Sequence, residues 1–186
     1  MLTEVRIAGF GGQGIILAAS IIGKAAALYE NGYATMTQNY GPEARGGASS
    51  AQLVISDEPI LYPYTTQPDV LIALSQEAFD RFGQEARPGG LIIVEEDLVR
   101  VSGLPAATRV LGVCATRLAE ELGKRITLNI VTIGFFAAAT RLLKRESYEQ
   151  AIADSVPHSS IALNLAAFAK GWQAAEACVP AHGLTH

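Results

Sequence analysis

The order of apolar and polar residues along the chain predicts strands that alternate with helices. Short apolar runs bounded by glycine, proline or acidic residues predict strands at 4–10, 33–38, 49–56, 70–74 and 91–94. Apolar residues at helical spacing predict helices at 14–30, 76–84, 115–122, 128–143, 147–154 and 160–177. Residues 98–108 have no readable pattern. Strands that alternate with helices are typical of an α/β domain built in three layers.

The length of the chain fits one domain. Its 186 residues are enough for a compact core, and we assign residues 1–178 to a single domain and 179–186 to a disordered tail. The most apolar stretch, 130–140, is about half of the ~20 residues that a membrane-spanning helix needs, so it predicts a buried helix. Because a strand-like pattern starts at residues 5–7, we expect no signal peptide and a cytoplasmic protein.

The charge pattern narrows the choice of partners. The net charge is −4, and the basic residues form no stripe, which argues against nucleic-acid binding. Charged residues make up 17% of the chain, below the usual value of about 25%. Two explanations remain open for this shortage: a surface covered by other subunits, or a well-filled α/β core.

The cysteines predict no metal site. There are two, Cys114 and Cys178, and they lie far apart, whereas an iron–sulfur cluster needs about four thiolates. Cys178, His182 and His186 recur every four residues, but the proline and glycine between them interrupt a helix there. We therefore interpret both cysteines as small apolar residues.

A glycine-rich loop follows the first predicted strand. Gly9, Gly11 and Gly14 fit the pattern G-x-G-x-x-G, and the loop opens a helix, as that motif requires. Glycines permit a close approach to a ligand, and the amino end of a helix attracts an anion such as a pyrophosphate. The alternative is that these glycines serve only the packing of strand against helix. The predicted fold is thus α/β: a single three-layer domain with a Rossmann-like sheet, mixed but mostly parallel, flanked by helices.

A dinucleotide-binding oxidoreductase acting alone is the alternative function. Such a site needs an acidic residue at the end of the second strand to hold the ribose. Here that strand ends in Gln38-Asn39-Tyr40, while Glu30 precedes the strand and Glu43 lies beyond it. The missing acid argues against nicotinamide cofactors.

A second glycine-rich segment, Tyr40-Gly41-Pro42-Glu43-Ala44-Arg45-Gly46-Gly47, is more distinctive. It combines a carboxylate and a guanidinium within a constrained backbone, and the planar fork of Arg45 suits a phosphate or a carboxylate. A simple surface ion pair between Glu43 and Arg45 is the alternative, but a solvated pair does not need such a backbone.

Taken together, these segments resemble the gamma subunit family of 2-oxoacid:ferredoxin oxidoreductases, which includes the pyruvate, 2-oxoglutarate and ketoisovalerate enzymes. The resemblance lies in the segments 9–15, 40–47 and 55–60, in their order and in their spacing. Further matches are Asp69 before a short strand, Pro88-Gly89-Gly90 before another, Asn129 at the start of an apolar stretch, and the segment 164–171. The resemblance covers residues 3–172.

The resemblance implies one subunit of an enzyme complex. Such complexes oxidatively decarboxylate a 2-oxoacid, transfer the acyl group to coenzyme A and reduce ferredoxin. Thiamine diphosphate, Mg²⁺ and the iron–sulfur clusters are expected on partner subunits, called alpha, beta and delta. We expect no cofactor, no catalytic residue and no activity in the isolated chain. The first expected substrate is 2-oxoglutarate, followed by pyruvate, branched-chain oxoacids and indolepyruvate.

The resemblance also implies two sets of site residues. Coenzyme A is expected to contact the first loop, an arginine of the second loop and one asparagine: Gly9, Gly11, Gly12, Gln13, Gly14, Arg45 and Asn129. The interface with the thiamine-binding subunits is expected in the second loop, at Tyr40, Gly41, Pro42, Glu43, Arg45, Gly46 and Gly47.

Overall fold

The computed structural model describes residues 1–40, 48–104 and 107–178. Its strands are β1 (Leu2–Phe10), β2 (Tyr33–Tyr40), β3 (Ala48–Ser56), β4 (Val70–Ala73), β5 (Leu91–Glu95) and β6 (Arg109–Val113). Its helices are α1 (Ile15–Lys24), α2 (Gln76–Phe82), α3 (Ala115–Glu121), α4 (Leu128–Thr140), α5 (Arg145–Ala153) and α6 (Ile161–Cys178). A π-helical turn, Ala25–Tyr29, continues α1.

The six strands form one mixed sheet in the order β2-β3-β1-β4-β5-β6. Strands β1, β4, β5 and β6 run parallel, whereas β3 lies antiparallel between β1 and β2. The predicted fold class is confirmed. The prediction did not include the position of β3, which separates the first two strands of the chain.

Helices cover both faces of the sheet, but unequally. Alternate residues of the parallel strands, such as Val5 and Ile7 in β1, pack against α1 and α3–α6. The residues between them, such as Leu71 and Ala73 in β4, pack against α2. Because both of its faces are buried, β4 is apolar throughout, and β5 is apolar up to Glu95, which made these two strands recognisable in the sequence.

Helices α4 and α6 cross in close contact. A Cβ atom built on Gly134 would overlap the Phe168 carbonyl, and one built on Gly171 would overlap the Val131 carbonyl. The two backbones therefore touch where neither helix has a side chain. Residues Leu128–Ala138 of α4 are buried on all sides, in agreement with the buried helix predicted there.

The remaining differences from the sequence prediction have local causes. Strand β6 was not predicted, because it is a half-exposed edge strand with a glycine in it. Helix α4 ends three residues early, where Arg141 adopts a left-handed conformation. The predicted tail 179–186 and most of the second loop, 41–47, lie outside the described residues. No described helix has both the length and the apolar character needed to cross a membrane.

Candidate functional site

The first glycine loop lies at the carboxyl edge of the parallel strands. The loop follows β1, which lies between β3 and β4 in the sheet. Later strands are added on both sides of β1, with β3 and β2 on one side and β4, β5 and β6 on the other. Open α/β sheets bind ligands at such a point, because the loops that diverge there leave a crevice.

The four glycines predicted to form the site divide into two pairs. A Cβ atom on Gly9 would strike the Gln13 side chain, and one on Gly14 would come within 2.5 Å of Asn129 Nδ2. Gly11 and Gly12, by contrast, have no atom of the described residues within 4 Å of the Cβ position. Gly12 and Gly14 have φ angles of 91° and 72°, which favour glycine, and no such constraint applies to Gly11. Packing among the described residues therefore does not explain why residue 11 lacks a side chain.

The side chain of Gln13 braces the loop from within. Its Oε1 accepts a hydrogen bond from the Phe10 amide at 2.7 Å, and its Nε2 donates to the Leu74 carbonyl at 3.0 Å. The loop after β1 is thereby tied to the loop after β4. Both polar ends of this side chain are occupied by the protein backbone.

Asn129 supports the loop from the first turn of α4. The residue is buried, and its Nδ2 donates a long hydrogen bond of 3.4 Å to the Gly14 carbonyl. The structure thus brings Asn129, 115 residues away in sequence, against the loop. Like Gln13, it contacts backbone, and direct contact of either side chain with a ligand stays a prediction.

The amino end of α1 offers unpaired donors. No side chain caps the helix, and its first turn contains no acidic residue. Within the described parts of the chain, the amides of Gly11, Gly12, Gly14 and Ile15 donate to no other residue. Together with the helix dipole, these amides favour an anion beside the two open glycines.

The described ends of the second loop adjoin the first loop. Tyr40 pairs with Ser49 across β2 and β3, and Ser49 pairs with Gly9 across β3 and β1. Both strand ends that flank residues 41–47 therefore lie at the carboxyl edge. The roles predicted for Gly41, Pro42, Glu43, Arg45, Gly46 and Gly47 fall outside the described residues and stay predictions.

The arrangement of strands argues against a classical dinucleotide site. Because β3 intervenes, the end of β2 lies two strands from β1, or about 10 Å at the usual strand spacing. Glu30 is engaged elsewhere: its Oε1 accepts hydrogen bonds from the Lys144 amide at 2.8 Å and from Ser147 Oγ at 2.7 Å. The ribose-binding acid that such a site requires is therefore missing from the described end of β2.

A buried acid that the sequence did not reveal ends β5. One Oε atom of Glu95 accepts hydrogen bonds from the Thr116 amide and hydroxyl at 3.0 and 3.2 Å, and the other has no described partner. Burial raises the pKa of this carboxyl. Glu96 and Asp97 follow Glu95 in the sequence, and three consecutive acidic residues are typical of a solvent-exposed turn. Glu95 fastens the end of β5 to the start of α3.

The described residues contain no obvious nucleophile or metal site. Burial, together with a hydrogen bond to Glu96, raises the pKa of Cys114 to about 11, so this residue is a neutral thiol near pH 7. No group of three or more histidine, cysteine or acidic side chains is placed to hold a metal ion in the part of the chain that the structure describes. The chemistry available at this edge is the binding of an anion by backbone amides.

Comparisons with known proteins identify the family. The model of the pyruvate ferredoxin/flavodoxin oxidoreductase family matches residues 4–174. The 2-oxoglutarate synthase subunit KorC of Methanocaldococcus jannaschii is 48% identical over 178 residues, which is 95% of each chain. The gamma subunit of a keto/oxoacid ferredoxin oxidoreductase from Geobacter sulfurreducens has a TM-score of 0.82 at 37% identity, covering 94% of this chain and 99% of that one.

A longer protein contains the same fold. The 2-oxoglutarate:ferredoxin oxidoreductase of Magnetococcus marinus, solved with 2-oxoglutarate, coenzyme A and succinyl-CoA bound, has a TM-score of 0.87 at 23% identity. The match covers 97% of this chain and 32% of that one. The resemblance seen in the sequence is thus confirmed: this chain belongs to the pyruvate ferredoxin/flavodoxin oxidoreductase family, among relatives that are subunits of 2-oxoacid oxidoreductases.

Proposed function

We propose that this chain is the gamma subunit of a 2-oxoglutarate:ferredoxin oxidoreductase complex, and that its first glycine loop binds a phosphate group of coenzyme A. The observation that carries the proposal is the pair of open glycines, Gly11 and Gly12, beside the uncapped amino end of α1. Among the described residues, the backbone amides there have neither a hydrogen-bond partner nor a side chain that would keep a phosphate away.

The choice of 2-oxoglutarate is supported by a relative. The KorC subunit, 48% identical over nearly the whole chain, belongs to a 2-oxoglutarate synthase. The complex would decarboxylate the 2-oxoacid, release carbon dioxide, pass electrons to ferredoxin and transfer the acyl group to coenzyme A. Thiamine diphosphate, Mg²⁺ and the iron–sulfur clusters belong to the alpha, beta and delta subunits.

Each part of the loop then has a separate task. The amides of Gly11 and Gly12 receive the phosphate, and Gln13 and Asn129 hold the backbone in the conformation that exposes them. Arg45, in the second loop, supplies a positive charge to a coenzyme A phosphate. The binding energy comes from backbone donors and one guanidinium, so no residue of this chain takes part in bond breaking.

Substitutions at Gly11 test the role of the first loop. In the assembled complex, with 2-oxoglutarate saturating, Gly11→Leu is expected to raise the apparent constant for coenzyme A about 10-fold or more, because the side chain occupies the phosphate position. Gly11→Ala gives a smaller change in the same direction. Steady-state turnover with coenzyme A varied measures both.

The matched control is Gly89→Ala, a glycine that also faces open space but lies in the turn before β5, at the opposite edge of the sheet. It is expected to leave the coenzyme A constant unchanged. If Gly11→Leu instead raises the constant for 2-oxoglutarate alone, the loop shapes the substrate side and the assignment is wrong.

Arg45 has its own test. Arg45→Ala removes a charge-assisted contact worth about 1.5–3 kcal/mol, which corresponds to roughly a 10- to 150-fold loss of coenzyme A affinity. Arg45→Lys restores only part of it, because an ammonium group lacks the planar fork. The control is decarboxylation without coenzyme A, normalised to the amount of assembled complex, and this normalised rate should not change.

We also propose that the segment Tyr40 to Gly47 contacts the thiamine-binding subunits. Its support is the constrained backbone of the sequence and the position of the flanking strand ends beside the first loop. Glu43→Ala and Arg45→Ala are expected to weaken assembly in size-exclusion chromatography of the co-expressed subunits. Unchanged assembly in both variants would contradict this interface.

A further inference from the structure

A second surface lies at the opposite edge of the sheet. Residues 57–69, here called the tyrosine loop, join β3 to β4 without regular structure at the amino edge of the parallel strands. The loop exposes 96% of Leu61, 62% of Tyr62 and 53% of Tyr64. The two tyrosine rings contact each other edge to face, with centroids 5.6 Å apart. A monomeric protein seldom leaves such a cluster in water, and tyrosine is enriched where proteins bind each other.

Side chains of the sheet hold the tyrosine loop in place. Buried Arg6 reaches from β1 to Thr65 Oγ1 at 3.4 Å, is paired with Glu85, and lies 4.7 Å from the centre of the Phe82 ring. Gln52 accepts a hydrogen bond from the Thr65 amide at 3.2 Å.

Glu4 adds a third attachment. Its carboxylate accepts hydrogen bonds from the amides of Thr66 and Gln67 at 3.0 and 3.3 Å. The base of the tyrosine loop is therefore fixed to β1 and β3, while its apolar tip points outward. A surface ordered in advance loses less entropy on binding, as expected of a docking element.

The charged residues of the loop itself are of one sign. Residues 57–69 contain no lysine or arginine but three acidic residues, Asp57, Glu58 and Asp69. Asp57 is paired with the amino terminus and Asp69 with Arg87, whereas Glu58 is exposed and has no charged partner among the described residues. A complementary surface would combine an apolar pocket with a basic rim.

We propose that the tyrosine loop docks into an apolar pocket with a basic rim on another subunit of the same oxidoreductase complex. The proposal rests on the proposed function for the existence of that complex. A second copy of this chain is a poorer occupant, because an isologous contact would bring Glu58 and its acidic neighbours against their own copies. The chain would then be held at both sheet edges, by the second glycine loop at one and the tyrosine loop at the other.

The test compares two exposed leucines in the complete, co-expressed complex. Leu61→Glu places a charge at the centre of the proposed contact, and Leu28→Glu places one on a leucine that is 63% exposed in the turn after α1. On dilution, mass photometry is expected to show about 10- to 100-fold weaker retention of the Leu61→Glu subunit and no change for Leu28→Glu. Both isolated chains should melt close to wild type, because both positions are exposed.

A charge reversal at Glu58 tests whether the partner subunit has the proposed basic rim. Glu58→Lys is expected to slow association and to reverse its dependence on salt, because steering acts mainly on the association rate. Glu77→Lys, an equal change of charge at the carboxyl edge, is the control and should leave the rate near wild type.

Each outcome separates this proposal from the one on which it rests. If the wild-type chain retains its partners and Leu61→Glu retains them equally well, the docking surface is refuted and the proposed function stands. If the wild-type chain binds no partner subunit, both proposals fall. If the isolated chain is a dimer that Leu61→Glu separates into monomers, the occupant is a second copy and the proposed partner is wrong.

Discussion

Two pairs of glycines in this molecule have opposite surroundings. At Gly134 and Gly171 an added Cβ atom would overlap a backbone carbonyl of the facing helix, whereas at Gly11 and Gly12 it would meet no described atom within 4 Å. The first pair is required by the packing of α4 against α6. Packing among the described residues does not require the second pair; the left-handed φ of Gly12 favours glycine there, and at Gly11 the described residues give no reason for the missing side chain. Changes at the helix crossing should therefore affect stability, and changes in the loop should affect binding.

The largest expected loss of stability is at the crossing of α4 and α6. Gly171→Ala or Gly134→Ala forces α4 and α6 apart, at about 3 kcal/mol for overpacking, offset by about 1 kcal/mol from the better helix propensity of alanine. A net loss near 2 kcal/mol corresponds to a fall of roughly 4–8 °C in the melting temperature of a chain of this size. Thermal unfolding of the purified chain measures it.

A third helical glycine serves as control for that change. In α1, a Cβ atom on Gly23 would lie 3.1 Å from the flexible end of Leu53, so Gly23→Ala should be neutral or slightly stabilising. Equal melting temperatures for Gly23→Ala and Gly171→Ala would show that the crossing tolerates a methyl group and would remove the contrast between the two pairs.

Gly14 lies in the loop but also packs against a side chain, so the loss of stability in Gly14→Ala should be intermediate. Gly14→Ala meets a left-handed φ of 72°, at about 1 kcal/mol, and also collides with the Asn129 side chain. When Asn129→Ala is added, the collision with the Asn129 amide should disappear, whereas the backbone strain and the 3.0 Å approach to the Cβ of residue 129 remain. A double-mutant cycle in urea measures the coupling, and additive losses would contradict the contact.

Gly12→Ala should cost about 1 kcal/mol, the strain of its φ of 91° alone. Gly89→Ala, with a φ of 78° and equally open surroundings, should cost the same. The two variants should differ only in coenzyme A affinity, where Gly12→Ala is weakened and Gly89→Ala is not. A loss at Gly12 well above that at Gly89 would mean that packing also acts in the loop.

The smallest expected change in stability is at Gly11. With no left-handed φ and no neighbour, Gly11→Ala should alter the free energy of unfolding by less than about 0.5 kcal/mol, as is usual for surface substitutions. Urea unfolding of the isolated chain measures it. The same variant is expected to impair coenzyme A binding. A loss of stability above about 1 kcal/mol would contradict the claim that changes in the loop affect binding and not stability.

Of the three strands that follow β3, the sequence predicted the two that are buried on both faces. Strand β4, and β5 up to its last residue Glu95, are apolar because helices cover both of their faces, so local pattern and tertiary position agree. Strand β6 failed this condition: it is a half-exposed edge, and its pattern matches neither period. The insertion of β3 between β1 and β2 depends on pairing between distant residues, which periodicity does not record.

The candidate site was located by its motif, but the tasks of its residues depend on three dimensions. The sequence placed the three glycines of the motif and Gly12 in one group, and the structure separates Gly9 and Gly14, which pack, from Gly11 and Gly12, which contact no described residue. The side chain of Gln13 could hydrogen-bond a ligand, yet both of its polar atoms already form hydrogen bonds with backbone groups. Glu95 was missed because an acid at the end of an apolar run resembles the start of a turn.

The central position of β1 has a consequence for how a bound ligand would act. Residues 2–10 pair with β3 on one side, and residues 5–8 pair with β4 on the other, so this strand joins the antiparallel and the parallel halves of the sheet. We expect its central amides to be among the last to exchange with deuterated water, through global unfolding. A ligand held by the loop that continues from this strand would not escape by local fraying. The bound ligand would instead stabilise the whole chain against unfolding. Even a phosphate compound that binds weakly would therefore slow amide exchange equally in both halves of the sheet.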